Sequence, residues 1–239
     1  MKKLLLIGAG LIVLAIAAVV GGWWFFIRED AQLATEAPNI PEGLAQEVPD
    51  GGANGAGDVV EYRLIPEQSE AAYFADEKLA SLPLPSTAKG TTNDIAGVFY
   101  LTPDGTALSS EGTSEFTVDL RSLQSDQSRR DGRVQDALET SLFPTATFTI
   151  TGATGFDPSV PEGEEHSLQM TGTLELHGVQ RDLVWDVKAR REGSVITALA
   201  TVNFRYDEFN VAPPNIAGFV SVQDDVTLQV TVVAALSTA

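Results

Sequence analysis

No cysteine occurs among the 239 residues, and only two histidines do. The missing cysteines exclude disulfides, thiolate zinc sites, iron–sulfur clusters, a cysteine nucleophile and a cysteine-linked lipid anchor. With His166 and His177 alone, a histidine-rich metal site is not expected either, and nothing in the chain asks for a cofactor. Positive charge is scarce as well. Fifteen Lys plus Arg stand against 33 Asp plus Glu, a net charge of -18. Such a surface repels phosphate backbones, so no nucleic-acid partner is expected. It also repels anionic lipid headgroups. The downstream domain has no Gly-x-Ser-x-Gly elbow and no Asp-x-Asp-x-Asp-Gly calcium loop. No serine is placed beside His177, which reads as a turn residue between Glu175 and Asp182. No catalytic residue is therefore nominated, and the chain reads as a non-enzyme.

What is present begins with a long apolar run. Lys2 and Lys3 precede an uncharged stretch from Leu4 to Ile27, which ends in Trp23, Trp24, Phe25 and Phe26. The run is long enough to cross a hydrocarbon core of roughly 30 Å, and the aromatics suit an interfacial belt. Lys2 and Lys3 put the N-terminus, residues 1–3, in the cytoplasm and export the rest. A cleaved signal peptide is the competing reading, with Ala15-Ile16-Ala17 as a small-x-small site, but the run stays apolar well beyond it. The expectation is a single-pass signal anchor over 4–27 in the cell membrane. Residues 28–57 carry Pro38, Pro41, Pro49 and the Gly51–Gly57 cluster, and are expected to form a flexible acidic spacer.

From residue 58 to 239 the apolar period becomes two. Phe116, Val118 and Leu120 alternate with Glu115, Thr117 and Asp119. Ala146, Phe148 and Ile150 oppose threonines at 145, 147, 149 and 151. Leu168, Met170, Leu174 and Leu176 share one face, as do Leu183, Trp185, Val187 and Ala189, and Val226, Leu228, Val230 and Val232. This alternation predicts half-buried antiparallel strands. Further strands are expected at 59–65, 71–77, 95–101 and 194–204, and a short helix over 126–139, capped by Ser125 or Asp126. The fold class is all-β: an antiparallel barrel or sandwich of about eight strands, either filled by side chains or holding one small ligand.

Four stretches in order resemble the YceI-like family of lipocalin-like, polyisoprenoid-binding barrels: Tyr62 to Ala71, Gly90 to Gly97, Arg129-Arg130-Asp131 followed by Phe143 to Phe148, and Gly172 to Val179. Departures are Gln68 before Ser69, Gly132-Arg133-Val134 in the helix, and Lys78–Lys89, which reads as an insertion. The resemblance implies an up-and-down β-barrel enclosing an elongated apolar tunnel for an isoprenoid-type lipid. Phe116, Val118, Phe148, Ile150, Leu174, Leu176, Leu183, Trp185 and Val187 are the expected tunnel lining; the same residues could equally fill a dry core. Arg129, Arg130 and Arg133 are candidates for a headgroup at the barrel mouth, or a solvated helix face. The expected function is a membrane-tethered extracytoplasmic binding or carrier protein. The alternative is a non-catalytic structural or interaction domain with a filled barrel. A homodimer is compatible with the sequence.

Overall fold

A computed structural model describes residues 31–45, 59–79, 86–213, 215–216 and 220–237. The expected membrane span at 4–27 lies outside them. Among the described residues no helix is long and apolar enough to cross a membrane.

The strands are β1 (Val60–Leu64), β2 (Glu70–Leu79), β3 (Ser86–Thr92), β4 (Ile95–Leu101), β5 (Glu115–Asp119), β6 (Gln124–Ser125), β7 (Thr145–Thr154), β8 (His166–Leu176), β9 (Val179–Glu192), β10 (Val195–Arg205), β11 (Asn215–Ile216) and β12 (Val220–Leu236), with one helix, α1 (Ser128–Ala137), between β6 and β7. The order β1-β4-β5-β7-β8-β9-β10-β12 closes on itself through β1 and β12, so eight antiparallel strands form a barrel. Three of the walls are longer strands broken by a kink. β2 continues β1 along β12, β3 continues β4 along β2, and β6 continues β5 along β3. The first kink is a 3-10 turn at Pro66–Gln68. Ser69, 1% exposed, fixes it: its Oγ donates to the Ile65 carbonyl (2.8 Å) and accepts the Val233 amide (3.1 Å). A kink of this kind removes ladder partners, and the serine replaces them.

Apart from β3, β6 and β11, the strands fall where the period-two pattern places them because one face is apolar and must be buried. The β8–β9 turn is the two-residue His177-Gly178, with φ of 53° and 70°; left-handed φ at both positions matches the twist of the flanking strands. His177 also ties this turn down. Its Nε2 lies 2.8 Å from Glu139 Oε2, its Nδ1 lies 3.2 Å from the Phe209 carbonyl, and its ring meets Phe143 edge-on.

Within the stretch Lys78–Lys89, β2 runs on to Leu79 and β3 starts at Ser86, with Glu77 paired to Ser86. Two expectations change. The helix is capped by neither Ser125 nor Asp126. Its N-cap is Gln127, without a side-chain cap bond, and Ser125 instead gives its amide (2.8 Å) and hydroxyl (2.5 Å) to Asp131. Finally, the 28–57 segment is not wholly a free spacer. Ala34 exchanges two hydrogen bonds with the Gln229 side chain (2.9 and 3.0 Å), the Ala37 amide donates to Glu165 (2.7 Å), and Thr197 Oγ1 donates to the Pro38 carbonyl (2.6 Å). Lys188 reaches the Thr35 carbonyl. Residues 34–38 thus form a strap across the outer face of β9, β10 and β12. Beneath it Thr197 is fully buried and Gln229 is 5% exposed.

Candidate functional site: an apolar cavity inside the barrel

Inward side chains of the strands enclose a cavity of about 470 Å³, within the size range of small-molecule sites. The barrel is therefore not filled. Phe116, Val118, Phe148, Ile150, Leu174, Leu176, Trp185 and Val187 all line the cavity. Leu183 does not; it packs, half-buried, against the edge of the core.

The room comes from small residues that the expected tunnel lining leaves out. Ala189 of β9 faces Ala198 of β10, and Ala200 faces Val187, all four on the cavity wall. Alanine is disfavoured in strands relative to β-branched residues. Alanines repeated at inward positions of neighbouring strands are a legible signal for missing volume.

The two ends differ. One is closed by α1, whose Val134, Ala137 and C-terminal neighbour Leu138 line the cavity beside the buried Leu120, Leu123, Phe209 and Val211. Tyr73 and Tyr206 also stand at this end. Burial pushes the Tyr73 hydroxyl up to about 12 and that of Tyr206 further still. At the other end the lining residues Thr106, Ala107, Ala153, Thr154 and Gly155 are exposed. The cavity thus reaches solvent between the β4–β5 and β7–β8 connections, away from α1.

This placement corrects the expected mouth. Arg129, Arg130 and Arg133 belong to α1 at the closed end, and none of them lines the cavity. Arg129 is exposed and Arg133 half-buried. Arg130 is held by Glu77, Nε to Oε1 at 3.0 Å, and by Asp126. The charge at the actual mouth is arginine: Arg190 and Arg191 both border the cavity, and Arg191 donates to the Gly105 carbonyl (3.1 Å). His166 lines the cavity at the same end, and burial pushes it below the ordinary histidine range. Period-two counting along β9 puts Arg191 on the same face as Trp185 and Val187, so it was available from the sequence.

Two buried polar atoms have no partner among the described residues: the Trp185 indole N–H and the Tyr62 hydroxyl. Trp185 is 3% exposed and packs on Phe148 with ring centres 5.4 Å apart. Tyr62 is fully buried and stacks on Phe99 at 5.3 Å. Each such group costs about 1–3 kcal/mol. Among the described residues no group of three or more His, Asp or Glu is placed to hold a metal ion.

Solved structures with the same fold include a polyisoprenoid binding domain from Saccharophagus degradans implicated in plant cell wall breakdown. It has a TM-score of 0.58 at 18% identity, covering 74% of this chain and 98% of that one. BcnA of Burkholderia cenocepacia gives 0.55 at 18% identity, covering 72% and 99%. The YCEI protein of Campylobacter jejuni gives 0.52 at 22%, covering 68% and 91%. At these identities the likeness speaks for the fold alone. Comparison with curated proteins finds no match. The family model of the YceI-like domain matches residues 62–234, which runs from within β1 to within β12, and the chain belongs to the YceI-like family.

Proposed function

We propose that the protein is a non-catalytic binding or carrier module for a long apolar lipid of the isoprenoid type, held inside the barrel. The observation that carries this is the continuous apolar cavity, open at one end and closed by α1 at the other. Each methylene moved from water into such a space gains roughly 0.8 kcal/mol, so a long chain needs few polar contacts to bind. The family supports the same ligand class, since the Saccharophagus relative of the same fold is a polyisoprenoid binding domain.

The apolar run Leu4–Ile27 supports a tether in the cytoplasmic membrane with the barrel on the outer side. A tethered barrel works at a high effective concentration of membrane lipid. Its net charge of -18 keeps it from lying flat on anionic headgroups.

The test is the lipid content of the full-length protein isolated from its own host, by organic extraction and mass spectrometry. Prenyl lipid in near-stoichiometric amount is expected from the wild type. It should be absent from Ala198→Phe, which fills the widened part of the wall. Wild-type protein that is folded and carries no lipid would overturn the proposal.

A further inference from the structure

β9 carries two consecutive arginines, and alternation along the strand sends them to opposite faces. Arg190, registered with Thr197, faces outward, and all three of its nitrogens are engaged. Nε donates to the Ala37 carbonyl (3.4 Å), Nη1 to the Gly163 carbonyl (3.2 Å) and Nη2 to the Glu165 carboxylate (3.3 Å). Arg191, registered with Ile196, turns in toward the cavity mouth. Among the described residues its guanidinium makes one hydrogen bond, to the Gly105 carbonyl, and no ion pair. A guanidinium carries five N–H donors and does not lose its charge in proteins. Arg191 therefore has charge and donors to spare at the rim of an apolar space.

The carboxylates of the surrounding loops do not supply the missing partner. Asp104 accepts from Thr102 Oγ1 (2.5 Å) and the Thr106 amide (3.1 Å), inside its own turn. Asp157 is taken by the amide and hydroxyl of Ser159 (2.9 and 2.6 Å). Glu162 accepts the Gly193 amide (3.3 Å). His166, pushed below its ordinary range by burial, adds little positive charge near neutrality. Deeper in the cavity wall, the buried Trp185 N–H is a second donor without an acceptor. Indole N–H can only donate. Both groups thus ask the occupant for acceptors, and Arg191 asks for negative charge.

We infer that the mouth around Arg191 is a headgroup subsite for an anionic amphiphile, phosphate- or carboxylate-bearing, whose chain enters tail-first toward α1. This rests on the lipid-binding reading and adds the charge of the head to it. A charge-assisted bond with a guanidinium is about twice as strong as a neutral one and is often two-pronged. The charge of the two ends fixes the direction, because the α1 end of the cavity is lined by Leu120, Leu123, Val134 and Leu138 together with the uncharged phenols Tyr73 and Tyr206.

The experiment is a competition on the full-length chain in zwitterionic nanodiscs. Geranylgeraniol is offered against geranylgeranyl phosphate, and separately against geranylgeranoic acid, with the bound species counted by native mass spectrometry. The phosphate, the acid or both should outcompete the alcohol by about tenfold. The arm with the larger ratio identifies the head. Arg191→Gln should bring that ratio close to one while still binding the alcohol, which also reports a folded barrel. Arg191→Lys should retain most of the preference, and Arg129→Gln should leave it unchanged. Equal binding of alcohol and anion by the wild type, or a preference that survives Arg191→Gln, would overturn the subsite and leave the lipid reading standing. Binding of none of the three by the wild type would overturn both.

Discussion

Glu77 and Arg130 meet at the closed end of the barrel in a two-pronged ion pair, Nε to Oε1 at 3.0 Å and Nη2 to Oε2 at 3.2 Å. Their side chains are 14% and 15% exposed. Glu77 stands on β2 and Arg130 on α1, so the pair fastens the helix over the end of the cavity. Removing Glu77 leaves the nearly buried Arg130 with the exposed Asp126 as its remaining ion pair. Glu77→Gln should cost about 3 kcal/mol in denaturant unfolding and speed amide exchange across α1. The Glu77→Leu, Arg130→Met double variant should lose less than Glu77→Gln alone, since it strands no charge. A Glu77→Gln variant with wild-type stability would show that α1 is held by its apolar face only.

That pair also shows where the sequence stops being informative. The strands were legible because Phe116, Val118, Leu174 and Val230 must all face one way, and a period of two survives in the letters. β3 was not, because in Ser86–Thr92 the only buried apolar side chain is Ala88. In the sequence Arg130 is a headgroup candidate or part of a solvated helix face, because Glu77 lies 53 residues away and nothing local announces it. The strap was read as spacer for a different reason. It docks largely through backbone groups of Ala34, Thr35, Ala37 and Pro38, and backbone groups have no sequence signature. The cavity wall was readable except for its alanines, whose contribution is the volume they leave.

The strap gives a second prediction. Thr197 is fully buried and spends its hydroxyl on the Pro38 carbonyl at 2.6 Å. Thr197→Val keeps the shape and removes the donor, so that carbonyl loses its partner. The expected loss is about 1 kcal/mol. Amide exchange and protease cleavage within 31–45 should rise, with β10 itself unchanged. Uniform loosening of the whole barrel would mean that the strap is part of the core rather than an outer layer.

A third concerns the wall opposite the alanines. The ring of Phe116 lies on Gly97 across the β4–β5 pair, and a Cβ added at Gly97 would come within 2.2 Å of Phe116 Cδ1. Backbone freedom is not the issue there, only space. In Gly97→Ala the ring must leave the wall, and the direction open to it is the cavity. The variant should fold, at a cost of about 1–3 kcal/mol for the forced repacking. Its bound lipid should shift to shorter chains or fall in amount. Unchanged chain length and occupancy by mass spectrometry would show that Phe116 does not bound the ligand space.

The closed end should respond to alkaline pH. Burial is the main reason that Tyr73 is raised from 10.0 to about 12, and Tyr206 is raised further by the same cause. A phenol whose folded-state value lies above its unfolded value binds its proton more tightly in the folded protein. Its contribution to stability is complete below about pH 10, the unfolded value. It declines as the pH rises from there through the folded-state value. Tyr73 and Tyr206 should therefore ionise with the loss of β-sheet circular dichroism, not before it. Tyr206→Phe removes one of these groups and should move the alkaline unfolding midpoint upward, while its stability near neutrality reflects only the lost hydroxyl. Tyrosinate absorbance from both residues at pH values where the barrel is still intact would mean that solvent reaches the α1 end, and that the cavity is a channel open at both ends.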